Sequence, residues 1–188
     1  MFRLSPIAAA VVLAVGTSHA ASVFSTDDPT WEQSIDGGAT WSAAESFGYS
    51  ETLNGVTTAG LWPSSVTEGP TVGFRTSFTL AGGASAGTLY LYTDDDSTVR
   101  INGHQVWTEA DTVSTFSPAL DVTPWLVAGG NTIEATATSY FCCGRTFNAR
   151  LEVDALPVPE PGAGALMAAG LMGVGAWVRR RSAATRRP

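Results

Sequence analysis

Residues 88–107 read TLYLYTDDDSTVRINGHQVW, and this stretch decides the fold. Apolar residues recur over Leu89 to Tyr92 and over Val99 to Ile101, and three aspartates separate the two runs. An Asn102-Gly103 pair follows, and these residue types best tolerate the positive φ that the tightest hairpin turn requires at both central positions. The pattern predicts strand, loop, strand, turn and strand, with a type I′ hairpin at Asn102 and Gly103.

Apolar residues also alternate with polar or small ones on both sides of this stretch. The alternating apolar positions are Val72, Phe74, Phe78, Leu80, Ile133, Ala135, Ala137, Phe147, Ala149, Leu151 and Val153. A period of two residues places every second side chain on the same face of a strand. The chain therefore predicts an all-β, jelly-roll β-sandwich of about eight strands, which occupies residues 21–156.

The order of these features resembles a known domain. The chain resembles the jelly-roll sugar-binding domain of family 2 glycoside hydrolases. The resemblance lies in the two strands, the acids between them, the Asn-Gly turn and the later segment LDVTPWLVAGGNTIEA at 120–135. That domain belongs to the galactose-binding-like superfamily, and the resemblance is best from about Phe74 to Val153. It implies a sandwich fold more strongly than a function, because the superfamily hosts lectin-like, structural and enzyme-appended modules.

Charge limits the possible partners. All ten basic residues are arginine, and between Ala21 and Pro159 four arginines oppose sixteen acidic residues. Such an acidic body has no basic patch to neutralise phosphates, so the sequence excludes nucleic acid as a partner.

The N-terminal end has the features of an export signal. Arg3 gives a basic start, Ile7 to Gly16 is apolar, and Ser18-His19-Ala20 provides the small residues that signal peptidase requires. The apolar run is shorter than the roughly 17 residues of a membrane-spanning helix. We therefore predict a signal peptide over residues 1–20 and a mature protein that starts at Ala21.

The C-terminal residues 157–188 have three parts. Val158, Pro159, Glu160 and Pro161 precede an uncharged run at 162–178, and an arginine-rich tail at 179–188 ends the chain. The run is long enough for a transmembrane helix with its arginines in the cytoplasm. The arrangement resembles the PEP-CTERM sorting signal. This resemblance implies processing by an exosortase, a membrane transpeptidase, and loss of the arginine tail. A plain membrane anchor is the alternative interpretation.

Aromatic residues are the candidates for ligand contact. Trp31, Trp41 and Trp62 lie in the N-terminal third and could form a platform on which pyranose rings stack. Packing in the core is the favoured alternative, because large aromatics dominate burial in β-sandwiches. Trp107, on a strand, is predicted to belong to the core.

Other candidate sites have weaker patterns. Asp94, Asp95 and Asp96 offer the hard oxygens that calcium prefers, and acids that accept backbone N–H bonds in a tight loop are the alternative. No other cofactor is expected. The neighbouring Cys142 and Cys143 could form a strained vicinal disulfide, remain free or pair between molecules. His104, next to a turn, is interpreted as a solvated residue rather than a catalytic one.

These observations favour a non-catalytic, exported binding module, with polysaccharide as its candidate ligand. Signal peptidase and an exosortase are the expected processing partners, and the C-terminal helix is expected to contact the inner membrane transiently. The final location is then the cell envelope, its outer surface or the medium. Two alternatives stay open: a purely structural protein of the biofilm matrix, and a small hydrolase. The hydrolase ranks last because no spacing singles out a catalytic pair.

Overall fold

The computed structural model of this protein describes residues 20–110, 113–140, 144–156 and 168–175, together with residues 177 and 179. Within these residues the chain forms thirteen strands. They are β1 Ala20–Ser25, β2 Glu32–Ser34, β3 Ser42–Ala43, β4 Gly48–Leu53, β5 Val56–Gly60, β6 Thr71–Leu80, β7 Ala84–Thr93, β8 Asp96–Ile101, β9 His104–Glu109, β10 Thr115–Phe116, β11 Leu120–Asp121, β12 Gly129–Thr138 and β13 Phe147–Ala155. A 3₁₀ helix spans Thr123–Trp125, and residues 168–175 are helical.

Two antiparallel sheets form a sandwich. Among the described residues, one sheet has five strands in the order β1-β13-β7-β10, and β11 also pairs with β7. The second has six strands in the order β3-β2-β6-β12-β8-β9, and β4 pairs with β5 in a separate hairpin. The predicted all-β sandwich is confirmed. The described strands outnumber the predicted eight because several are only two or three residues long.

The core lies between the two sheets, where the alternating apolar positions point. Residues 72, 74, 76, 78 and 80 of β6 are buried, and their neighbours in the strand are exposed or half-buried. The Phe74 ring of the six-stranded sheet stacks on the Phe147 ring of the five-stranded sheet, with 5.2 Å between centroids. Burying such aromatic side chains supplies much of the stability of a β-sandwich.

Two Asn-Gly pairs form the tight hairpins. Asn102 and Gly103 have φ values of 51° and 81°, which confirms the predicted type I′ turn between β8 and β9. Asn54 and Gly55 adopt φ values of 48° and 76° between β4 and β5. This second turn was not predicted, although it carries the same dipeptide.

The aspartates after β7 take the chain from one sheet to the other. β7 belongs to the five-stranded sheet and β8 to the six-stranded sheet, so residues 94 and 95 make the crossover. Asp95 has a φ of 60°, which L-residues adopt rarely. The strands on either side of the acids are therefore not a hairpin.

Several predictions concern residues outside the described ones. These are the signal peptide up to residue 19, the cysteines at 142 and 143, and the sorting motif at 158–161. Among the described residues, no helix has the length and apolarity needed to cross a membrane. The span predicted at 162–178 includes residues that the structure does not describe, so it stays a prediction.

Candidate functional site

The outer face of the six-stranded sheet carries a row of alternating charges. In the register of β2, β6, β12 and β8, Glu32 pairs with Arg75, Arg75 with Glu134, and Glu134 with Arg100. Opposite charges on neighbouring strands attract each other across the sheet. The Arg75 Nε donates to Glu32 Oε2 at 2.6 Å, but both side chains are more than 40% exposed, so the pair contributes at most about 1 kcal/mol.

Trp41 lies on this face beside the charged row. Its indole ring is half-buried, and the Arg75 guanidinium carbon lies 4.1 Å from the ring centroid in a cation–π contact. The position is possible because Gly73 has no side chain. A Cβ at residue 73 would lie 3.3 Å from the indole, closer than most such contacts.

The loop before Trp41 is held by hydrogen bonds. Asp36 accepts bonds from the Thr40 backbone N–H, from the Thr40 hydroxyl and from the Ser34 hydroxyl. The bond from the Thr40 side chain is the main reason that the pKa of Asp36 falls from 3.8 to about 2. The indole Nε1 donates to the Gly38 carbonyl at 3.1 Å. The tryptophan is thus positioned before any ligand arrives.

A cleft of about 240 Å³ opens beside the indole. We call it the Trp41 cleft, and its walls are Gly37, Gly38, Trp41, Thr71, Gly73, Phe74, Arg100, Glu134, Ala135 and Thr136. The cleft therefore combines one flat aromatic ring with a guanidinium, a carboxylate and two hydroxyls. Its volume is below the ~300–1,000 Å³ typical of pockets for drug-sized ligands.

One further cleft shares Trp41 with it, and another is bordered by Arg75. A cleft of about 240 Å³ also has Trp41 in its wall, together with Gln33, Ile35 and Glu45. A cleft of about 470 Å³ has Arg75 and Glu32 in its wall. The indole of Trp41 thus lies between two depressions, and Arg75, which packs on the indole, borders the third.

The structure separates the three tryptophans that the sequence grouped together. Trp31 is 3% exposed, and its Nε1 donates to the Ser25 carbonyl at 2.8 Å. Trp62 is fully buried and donates to the Val66 carbonyl. Their rings fill the space between the sheets, so neither can stack on a ligand, and the predicted platform is wrong for both. Of the three, Trp41 alone has an accessible ring.

Trp107 packs against the core as predicted, although it is only partly buried. Its Nε1 is enclosed and has no hydrogen-bond partner among the described residues.

Sequence reasoning missed the charged partners of Trp41. Arg75, Arg100 and Glu134 are distant in the sequence, and only strand pairing brings them to one row. The sequence did show that each of them lies on the polar side of an alternating strand, and this was the signal that could have identified them. His104 is exposed as predicted, but its ring stacks on Trp125 with 4.3 Å between centroids.

The three aspartates do not converge on one point. Asp94 accepts a hydrogen bond from the Ser114 hydroxyl, Asp95 from the Tyr140 backbone N–H and Asp96 from the Tyr140 hydroxyl. Burial raises the pKa of Asp94, and the neighbouring Asp95 charge adds to the effect. The described residues contain no group of three or more His, Cys, Asp or Glu side chains that could hold a metal ion. The calcium site at these acids therefore stays a prediction, and in the structure each acid accepts a hydrogen bond from a neighbouring loop.

The C-terminal end of the chain matches a known family. Residues 157–181 match the PEP-CTERM protein-sorting motif, which confirms the prediction of a sorting signal at this end. The motif indicates an exported protein that an exosortase processes and that is held at the membrane transiently. No curated protein matches the chain.

Several solved structures are similar to the sandwich. A glycosyl hydrolase family 2 member from Bacteroides cellulosilyticus has 14% identity and a TM-score of 0.44, and the match covers 70% of this chain and 20% of that one. A β-D-mannosidase from Dictyoglomus thermophilum has 18% identity and a TM-score of 0.39, with 63% and 16% covered. The CBM36-1 domain of a multidomain xylanase from the hindgut metagenome of Trinervitermes trinervoides has 14% identity and a TM-score of 0.31, with 74% and 100% covered. This chain thus spans a fifth or less of the two hydrolases.

Proposed function

We propose that this exported protein is a non-catalytic binding module of the cell surface or extracellular matrix, and that its sandwich binds polysaccharide in the Trp41 cleft. The observation that carries the proposal is the placement of Trp41. Its ring is partly accessible, with the Arg75 guanidinium over the ring, and it is held by the Gly38 carbonyl beside Gly73. A flat aromatic ring suits the apolar face of a pyranose, and stacking on a fixed ring costs little side-chain entropy.

The polar walls of the cleft suit sugar hydroxyls. Arg100 offers guanidinium N–H donors, Glu134 offers carboxylate acceptors, and Thr71 and Thr136 offer hydroxyls of both kinds. The cleft has room for about one ring, and the cleft that shares Trp41 with it leaves space for a neighbouring unit. These features support binding along a polymer rather than enclosure of a free sugar.

Charge selects the kind of polysaccharide. Two of the four arginines between Ala21 and Pro159, Arg75 and Arg100, lie in this row, but Glu32 and Glu134 offset them. The rest of the domain is strongly acidic, so its field repels polyanions. We therefore assign a neutral polysaccharide as the ligand class.

The test compares two tryptophans that are both partly exposed. The protein purified after export is run on a glycan array and in affinity gels that contain neutral polysaccharides, with and without calcium. Trp41→Ala should lower the affinity about tenfold or more, which corresponds to ~1.4 kcal/mol. Trp125→Ala, at another site on the surface, should bind as the wild type does.

Three outcomes contradict the proposal. Equal loss in both variants would place the ligand elsewhere, and unchanged affinity of Trp41→Ala would exclude the cleft. Absence of binding to every neutral polysaccharide would favour the structural role in the matrix.

A further inference from the structure

Both ends of the domain leave the sandwich at the same place. In the register of β1 and β13, Ala20 pairs with Ala155. The predicted cleavage site of the signal peptide follows Ala20, and the sorting motif begins at residue 157. The two export signals therefore connect to neighbouring strand ends.

Other loops reach the same end, which we call the terminal end: residues 81–87, 102–103 and 122–130. Ala84 pairs with Ala155, and the Leu156 N–H donates to the Gly83 carbonyl. Gly129 pairs with Leu80, so the start of β12 belongs here as well. The Asn102 side chain donates to the Trp125 carbonyl, which ties the β8–β9 turn to the 3₁₀ helix.

The two ends of the sandwich differ in charge. Residues 81–87, 102–103 and 122–130 contain no Asp, Glu, Lys or Arg, and the nearest acids are Asp121 and Asp154 on the strands. The opposite end contains Arg145 and many acids. Those acids are Asp27, Asp28, Glu68, Asp94, Asp95 and Asp96. An anionic surface therefore repels the opposite end much more strongly than the terminal end.

The terminal end also exposes apolar side chains. Trp125 is 36% exposed, Val127 is 50% exposed and Leu156 is 45% exposed. Tryptophan favours the membrane interface, because its ring is apolar and its N–H can hydrogen-bond to headgroups and water.

The length of the chain keeps this end near the membrane. The predicted span starts at residue 162, and the six residues from Leu156 to that point reach at most about 20 Å when fully extended. We propose that, while the sorting tail holds the chain, the terminal end lies on the lipid surface with Trp125 and Val127 in the interface. The acidic end then points away from the bilayer. This inference does not depend on the glycan proposal.

The test uses the full chain without its signal peptide in vesicles of phosphatidylethanolamine and phosphatidylglycerol at a ratio of three to one. A benzophenone amino acid replaces Val127 in one variant and Val113 in the matched control. Val113 is 58% exposed and lies next to Ser114, which donates to Asp94 at the opposite end. After illumination, mass spectrometry measures the yield of lipid adducts at each position.

We expect a several-fold higher yield of lipid adducts at position 127 than at position 113. A second variant with the probe at position 125 should resemble the first, and it replaces that variant if the change at 127 disturbs folding. Equal yields, or a higher yield at 113, would overturn the proposal. Adducts only with protein would assign this end to a protein partner and would overturn it too, as would a chain that does not float with the vesicles.

Discussion

The rest of the chain covers the outer faces of the two sheets to different extents. The β4–β5 hairpin covers part of the five-stranded sheet. On the outer face of the six-stranded sheet, the described residues place Trp41 and its loop. Asn148 of β13 is fully buried under the hairpin, and its Nδ2 donates to the Tyr49 and Thr58 carbonyls at 3.1 Å. The open face therefore has room for a ligand. On the covered face, polar residues such as Asn148 hold the hairpin in place.

The largest loss of stability is expected when a core tryptophan is removed, in contrast to the tryptophan on the open face. Trp62→Ala should lower the free energy of unfolding by about 3–5 kcal/mol, because it leaves a cavity between the sheets. Trp41→Ala should cost much less, since its ring is half-exposed and packs on one side only. Urea denaturation of the two variants measures the difference. Equal losses would show that Trp41 is a structural residue.

The next largest loss of stability is expected at the residue that holds the β4–β5 hairpin on the covered face. Asn148→Ala removes the side-chain donor to the buried Thr58 carbonyl and one of the two donors to the Tyr49 carbonyl, and it should cost about 1–3 kcal/mol. The control is Asn54→Gly at the exposed hairpin tip, which removes the bonds to Glu152 and keeps the positive φ. Hydrogen exchange should show faster exchange of β4 and β5 in the first variant alone. The same exchange rates in both variants would mean that Asn148 does not hold the hairpin.

A smaller effect is expected at the turn that ends the open face. Gly103 has a φ of 81°, and a β-branched residue is strained there. Gly103→Val should lower the free energy of unfolding by about 1 kcal/mol or more, as measured by thermal melting. Gly130→Val is a control, because that glycine has no positive φ and open space around its Cα. An unchanged melting temperature for Gly103→Val would contradict the type I′ turn.

The smallest effect concerns pH and the Trp41 loop. The pKa of Asp36 is about 2 in the folded protein and 3.8 in its ordinary state, so its carboxylate stabilises the fold above pH 3.8. That contribution is lost as the pH falls towards 2, because the unfolded chain takes up the proton first. Asp36→Asn should therefore have a lower melting temperature than the wild type at pH 5, and this difference should shrink at pH 2. A difference that is constant over this range would exclude the titration of Asp36 as its cause.

Local patterns in the sequence determined much of the fold. Alternation predicted strands at residues 72–80, 133–137 and 147–153, within β6, β12 and β13, because a strand turns every second side chain to the same side. The Asn102-Gly103 pair determined a turn through the positive φ that these two residues accept. The Pro-Glu-Pro motif with its arginine-rich end likewise needed no structure to be recognised, because a sorting signal is read as a linear segment.

The tertiary structure alone decided which tryptophan can meet a ligand. The side chains of Trp31, Trp41 and Trp62 have the same chemistry, and their burial depends on where the fold places each one. The pairing of β6, β12 and β8 brings Arg75, Arg100 and Glu134 into one site. This pairing depends on contacts between residues far apart in the chain. Strand register and the order of strands in a sheet follow from the packing of the whole core, so no local pattern could place these side chains beside Trp41.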